Sequence, residues 1–367
     1  NQMKIYKFIT QISIAGCMLV GTPMLQGCMD NSLNDPLGKV SEEELGRDGF
    51  AANAFFLTLC DYAYPIATEN IYNTNESLIG DCYGRYQVMA TDKFKGANFA
   101  TYNAPENWLN WQFADDNVMV LTYGAWNKIK NVTQGTGVNF AWAQILRIAT
   151  MHRMLDMYGA LPYSQISSDK LSAPYDTMEE AYHAMFTDLT DAINVMTVYV
   201  TENPNNRTMA KYDKVYDGDF EKWVKFANSL KLRMAIRIRF ADREYARQMA
   251  EEAINHSIGV ITSNEDNATS LGTKNQLYTV LVQWPDQCVS ADITSYMKGY
   301  NDPRMSKYFK KKTSDKGDDD YVGMRAGLSY GNDITGPTFS RINVGEMDRT
   351  LWMSAAETAF NKAEAAM

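Results

Sequence analysis

Between Asp176 and Met196 the apolar residues Met178, Tyr182, Met185, Leu189, Ile193 and Met196 recur at steps of three and four. That spacing gathers them on one face of an α-helix about five turns long, and such a face must be buried against a neighbour. The same signal runs through Phe220 to Phe240, where Trp223, Ala227, Leu230, Met234 and Ile238 form the stripe behind an Asp219 N-cap. Two further runs, Asp116–Lys130 and Val138–Tyr158, are separated by Gln134-Gly135-Thr136-Gly137 and predict a helix hairpin. Arg243–His256 follows, ending near Gly259, and Leu351–Met367 reads as a last helix. Cap signals pair Ser41 with Glu44 and Asp176 with Glu179. No strand series able to build a sheet interrupts them, so the fold class is mainly α.

Two stretches lack this order. Tyr64–Gln112 and Ser263–Arg349 mix Gly, Asn, Asp and aromatic residues without a period, and long irregular segments of this kind usually carry function. With 367 residues, 45% of them hydrophobic, the chain has ample material for a core beneath them.

The chain opens with Lys4 and Lys7, an apolar stretch Ile12–Val20 and the exit Gly27-Cys28. This is a targeting segment, since the apolar run falls short of the ~20 residues that span a bilayer. Leu25-Gln26-Gly27-Cys28 resembles a bacterial lipobox, in which the cysteine thiol carries the lipid; Ile14-Ala15-Gly16-Cys17 is the alternative. The polar run after Cys28 favours it, whereas Cys17 is followed by more apolar sequence. The organisation expected is a signal peptide at 1–27, a turn-rich tether at 28–40 after lipidated Cys28, and one helical domain at 41–367. Asn1 in place of Met, and an uncapped helix at Met367, read as a fragment with Met3 as the start and a C-terminal part missing.

Formal charge is −9, and removing Lys4 and Lys7 with the signal leaves −9 − 2 = −11. A surface so acidic excludes nucleic acid as a partner. Cys60, Cys82 and Cys288 lack metal or redox spacing and read as buried thiols, with a Cys60–Cys82 bridge left open. His152, His183 and His256 fall on separate helices, so no metal site is expected, and the Asp315, Asp318, Asp319, Asp320 cluster reads as a solvated loop. No phosphate loop, dinucleotide fingerprint or serine elbow occurs, and no cofactor is expected.

The run Asp213–Arg237, in which Asp217-Gly218-Asp219-Phe220 leads into Trp223, Phe226, Leu230, Arg233 and Arg237, closely resembles a signature helix of the SusD/RagB family. Asp156-Met157-Tyr158-Gly159-Ala160-Leu161-Pro162-Tyr163-Ser164, Ser263–Ala268, Asn301-Asp302-Pro303-Arg304-Met305 and the Ala356-Glu357 and Ala363-Glu364-Ala365-Ala366 pair follow in the family's order. The resemblance implies a tetratricopeptide-like helix-pair scaffold whose long irregular loops form a ligand surface. It also implies a lipid-anchored protein on the cell surface of the outer membrane. Such a protein would capture an oligosaccharide or similar nutrient and deliver it to a SusC-like TonB-dependent transporter, without catalysis.

The signature stripe itself reads as packing, with Arg233 and Arg237 placed to meet carboxylates of a neighbouring helix. Candidate ligand contacts lie in the loops, because sugar rings present apolar faces to aromatic rings and hydroxyls to planar polar groups. Asp81-Cys82-Tyr83-Gly84-Arg85-Tyr86 and Gln283-Trp284-Pro285-Asp286-Gln287 combine both, giving Tyr83, Arg85, Tyr86, Trp284 and Asp286 as candidates. Trp108 and Trp111 are expected to face the core. The competing readings are a helical glycoside hydrolase with two facing carboxylates and a scaffold that binds only protein.

Overall fold

The stripes become the contacts of a helical scaffold in the computed structural model, which describes residues 50–91, 99–113, 118–166, 172–284, 286–312, 320–327 and 338–367. Cys28, the tether, the Ser41–Glu44 cap, and Asp315, Asp318 and Asp319 lie outside the described residues. Helix α1 spans Phe50–Ala63, and α2 (Glu69–Tyr72) continues as a π-helix over Asn73–Asp81. Then come α3 (Glu106–Phe113), α4 (Val118–Thr133), α5 (Gly137–Tyr158) and α6 (Met178–Glu202). They are followed by α7 (Phe220–Ile238), α8 (Arg243–Ile254) and the short α9 (Gln276–Tyr278), which also continues as a π-helix, Thr279–Gln283. Helices α10 (Ala291–Gly299), α11 (Met305–Tyr308) and α12 (Ala355–Ala365) complete the set.

From α4 to α8 each helix packs on the next, and α12 returns against α7. Helix α5 lies deepest: Ala141 through His152 is buried without interruption, as a central helix surrounded by neighbours must be. Its Trp142 stacks on Phe56 at 4.2 Å and meets Trp223 of α7 at 5.7 Å. Gly159, at φ 79°, ends α5, a conformation glycine adopts without steric cost. Of the α6 stripe, Tyr182, Met185, Leu189, Ile193 and Met196 are buried, but Met178 in the first turn is exposed. The α6 cap falls one residue later than expected. Thr177 and Glu180 form the capping box, while Asp176 accepts hydrogen bonds from the backbone N–H of Tyr163 and Ser164 and from Ser164 Oγ. Asp176 therefore closes the loop after Pro162.

The signature run has its own physical logic. Asp219 caps α7 by accepting from Lys222 N. Upstream, buried Asp213 accepts from Val215 N, Tyr216 N and Gly218 N and, at 2.7 Å, from Trp223 Nε1. Gly218 has φ 78°, and a Cβ there would lie 2.7 Å from Ala210 N, so no other residue fits without strain. Further along, Arg233 forks onto Glu357 of α12 at 2.6 and 2.8 Å, and Arg237 pairs with Asp156 of α5 at 2.8 Å.

The irregular stretches hold short strands: β1 (Gln87–Met89), β2 (Ala268–Ser270), β3 (Gln287–Val289), β4 (Phe309–Lys310), β5 (Arg341–Ile342) and β6 (Thr350–Met353). They pair antiparallel as β1–β3, β2–β6 and β4–β5. Residues Leu351–Met353, expected to begin the last helix, are thus strand. Leu351 points out and Trp352 in, where its Nε1 donates to Ser270 Oγ at 2.8 Å; pairing with β2 outweighs helix propensity, and α12 starts only after the Ser354 cap.

Candidate functional site

The two aperiodic stretches are joined by the β1–β3 ladder, in which Gln87 faces Val289 and Met89 faces Gln287. Two smaller apolar clusters support it. One holds Leu78, Cys82, Val88, Phe99, Cys288 and Met324, and the other Tyr72, Val280, Leu281, Val289, Met297 and Phe309. Between them, Gln287 Nε2 donates to Asn73 Oδ1 and Ser77 Oγ at 3.1 and 3.3 Å, and Arg341 donates to the carbonyls of Leu281, Trp284 and Gln287. Met324 lies beside β3, with its N–H on Val289 O and its carbonyl receiving Ala291 N–H. The approach is so close that a Cβ on Gly323 would sit 2.3 Å from Ser290 O. A fixed base of this kind lowers the entropy that side chains above it lose on binding.

On one edge of this base lies a cleft of about 600 Å³ lined by Arg85, Asp292, Ser295, Tyr296 and Arg325. Tyr86 adjoins it through its carbonyl, which accepts from Ser290 N at 3.0 Å. Tyr83 stacks on Tyr102 with centroids 5.4 Å apart and planes 17° apart, and Gly327 brings Thr101 beside the Arg325 end. Tyr83, Tyr86, Tyr102 and Tyr296 are all exposed, the last two at 71% and 64%. Tyr83 also meets Phe99, which stacks on Trp108 at 5.8 Å, so a row of rings runs from the core to the surface. Trp108 packs against the core as expected; the Trp111 side chain lies outside the described residues.

Arg85 is thus at the cleft, with Tyr83 and Tyr86 flanking it. Trp284 and Asp286 are elsewhere. Ala90 N donates to Asp286 O at the far end of the ladder, Asp286 is 4% exposed, and Trp284 is half-buried against the second loop cluster. The sequence reading missed Tyr102, Tyr296 and Arg325. For Tyr296 a signal exists: on α10 the buried positions are Thr294 and Met297, leaving Tyr296 off the buried face.

Arg85 of the cleft and Tyr102, which stacks on Tyr83, are held in an uncommon backbone conformation, at φ 62° and φ 61°. Gln134, Asn205, Asp217 and Asn301 also have positive φ, Gln134 in the turn between α4 and α5; Asn and Asp adopt it readily, whereas a bulky side chain does so at a cost of about 1–3 kcal/mol. Partial burial, with Cys82 and Tyr102 close by, raises the Tyr83 pKa, keeping its hydroxyl a donor.

Two other grooves of similar size lie on the scaffold. In one, Arg207 pairs with Asp219, and Arg349 donates to the carbonyls of Lys214 and Thr269. The other is an acidic face of α8 around Tyr245, whose ring packs on His183. Ion pairs and hydrogen bonds within each groove, such as Arg207–Asp219 in the first and Arg247–Glu251 and Gln248–Glu252 in the second, mark them as structural. Cys60 belongs to the main core and Cys82 and Cys288 to the first loop cluster; all three are free buried thiols, and burial pushes the last two up to about 12. Buried His152 is pushed down to about 3 by desolvation and donates through Nδ1 to Ile148 O. No group of three metal-ligating side chains occurs among the described residues, and no helix among them is long and apolar enough to cross a membrane.

The sequence profile described as Susd and RagB outer membrane lipoprotein, SusD-like, matches residues 32–367. Among solved structures, a SusD homolog from Bacteroides uniformis is 36% identical with TM-score 0.79, the match covering 86% of this chain and 66% of that one. A second, from Bacteroides thetaiotaomicron, is 32% identical with TM-score 0.77, covering 86% and 64%. A chitin-binding SusD homolog from Flavobacterium johnsoniae is 32% identical with TM-score 0.76, covering 86% and 66%. The chain spans just under two thirds of the length of these relatives. No curated protein matches. With the profile matching nearly the whole chain, the protein belongs to the SusD/RagB family of outer-membrane lipoproteins.

Proposed function

We propose that the protein captures a glycan in the Arg85–Tyr296–Arg325 cleft and delivers it, chemically unchanged, to a SusC-like TonB-dependent transporter, while a lipid on Cys28 holds it at the outer-membrane surface. The observation that carries this reading is a cleft on a rigid base that sets the exposed Tyr296 ring among guanidinium, carboxylate and hydroxyl groups, with the exposed Tyr83–Tyr102 stack close in sequence to its Arg85. Rings of this kind lie against the apolar faces of sugars, and planar polar groups meet their hydroxyls. The similar chitin-binding structure supports the ligand class.

A hydrolase reading requires two carboxylates about 5–10 Å apart across the cleft. Among the described residues Asp292 is the one carboxylate that lines it, and its Oδ2 already accepts from Ser290 Oγ at 3.0 Å. Titrating a panel of oligosaccharides into the purified protein, with mass spectrometry of the recovered glycan, tests the proposal. Saturable binding of an intact glycan is expected. Cleavage products, or no binding across neutral and acidic members, would defeat it.

A further inference from the structure

Resting on the glycan reading of the cleft, we infer that the binding surface continues past the cleft along α10, with Tyr300 as a second sugar-stacking ring, so that the ligand is recognised as a run of linked sugars and not as a single unit. Asp292, Tyr296 and Tyr300 stand at steps of four and share one side of the helix. The first two line the cleft, and the third lies one turn further on, at the C-cap. Its ring meets that of Tyr296 with centroids 4.8 Å apart and planes 44° apart. Tyr300 is 72% exposed, while the opposite side of α10 is buried through Thr294 and Met297. Neither tyrosine hydroxyl has a hydrogen-bond partner among the described residues.

Exposure by itself would leave Tyr300 an ordinary surface residue. The way its backbone is fixed argues for more, and it gives a local role to Asn301-Asp302-Pro303-Arg304-Met305. Tyr300 N donates to Tyr296 O at 3.2 Å, Asn301 N, at φ 50°, to Lys298 O at 3.1 Å, and Asp302 N to Met297 O at 2.9 Å. The Asp302 carboxylate in turn accepts from Arg304 N and Nε, both at 2.9 Å, and buried Met305 anchors the segment in the second loop cluster. Two large rings are thus held side by side on a pinned helix end. Exposed apolar faces joined to a cleft mark a ligand surface, and rings fixed in this way lose little conformational freedom when a ligand covers them. A sugar stacked on Tyr296 has one linked neighbour in the cleft, beside Arg85 and Ser295, and the other over Tyr300.

The test is calorimetric titration of mono- to hexasaccharides of three backbones, chitin, galactan and homogalacturonan, into the wild type, Tyr300→Ala and Tyr300→Phe, with melting temperatures measured alongside. For the backbone that binds, the tetrasaccharide is expected to bind the wild type roughly tenfold or more tighter than the monosaccharide. Tyr300→Ala should remove most of that gain and leave monosaccharide affinity unchanged, whereas Tyr300→Phe, which keeps the aromatic face, should retain it. All three proteins should melt alike. A monosaccharide that binds as tightly as the hexasaccharide, a length gain that survives Tyr300→Ala, or an equal loss at every length would overturn the inference while leaving glycan capture intact. So would a lowered melting temperature in Tyr300→Ala, which would make the ring part of the fold. Failure of every length of every backbone to bind the wild type would remove the glycan reading beneath it.

Discussion

Trp223 is fully buried, touches Trp142, Phe226 and Trp352, and donates its indole N–H to Asp213. Its place in the core was legible from periodicity. The role of Asp213 was not, because an acceptor for donors two, three, five and ten residues away leaves no periodic trace. Removing a buried Trp costs about 3–5 kcal/mol, so Trp223→Ala should shift the urea midpoint strongly downward; an unshifted midpoint would show that the signature helix is not held by its core face. Asp81 makes a prediction of opposite character. Burial, with Glu76 adding to it, pushes its carboxyl up to about 7, against about 3.9 in an unfolded chain. Between those values the folded protein keeps a proton that the unfolded chain has lost. Stability from this group is therefore full below about pH 4 and drains away as pH rises to 7. Asp81→Asn, which fixes the neutral form, should gain on the wild type by about 2–4 kcal/mol between pH 4 and 8. A stability difference flat with pH would contradict this. Among the candidate ligand residues, Arg85 was visible as a polar group between two aromatics, whereas Arg325 reaches the cleft only through loop folding that no spacing encodes.

At the scale of elements, helix positions followed from apolar spacing, and the errors fell where local pairing decides. The α6 cap moved by one residue because Asp176 and Thr177 both offer capping oxygens, and the loop at Tyr163–Ser164 recruits the first. Leu351–Met353 became strand because β2 offers an edge and Ser270 a partner for Trp352. How α7 is tied to its neighbours separates two arginines that look alike in sequence. Arg233 is largely buried and serves Glu357, Tyr64 Oη and Trp352 O together; Arg237 is 57% exposed and serves Asp156. Arg233→Ala should lose about 2–4 kcal/mol by stranding those acceptors, and Arg237→Ala less than about 1 kcal/mol. Equal losses in thermal melts would mean that the α7–α12 contact is not held as described.

For the whole molecule, the helices form a rigid frame and the two aperiodic stretches, meeting at β1–β3, form the surface that the frame holds still. The frame was legible in the sequence because burial imposes periods. The meeting of residues 81–90 with 284–291 was not, since a three-residue ladder spanning 200 positions has no local signature. Membrane attachment is proposed to rest on Cys28, with acyl chains contributing about 0.8 kcal/mol per buried CH₂. Cys28→Ala should accordingly leave the membrane fraction on cell fractionation, and release by Cys17→Ala instead would assign the anchor to the other cysteine. The central claim is that the tyrosine-rimmed cleft holds a glycan. Its most direct test is calorimetric titration of the tightest-binding oligosaccharide into the wild type and into the Tyr102→Ala/Tyr296→Ala double variant, with melting temperatures measured alongside. Both rings are exposed, so stability should be nearly unchanged while affinity falls at least tenfold, about 1.4 kcal/mol; undiminished affinity in the double variant would contradict the account.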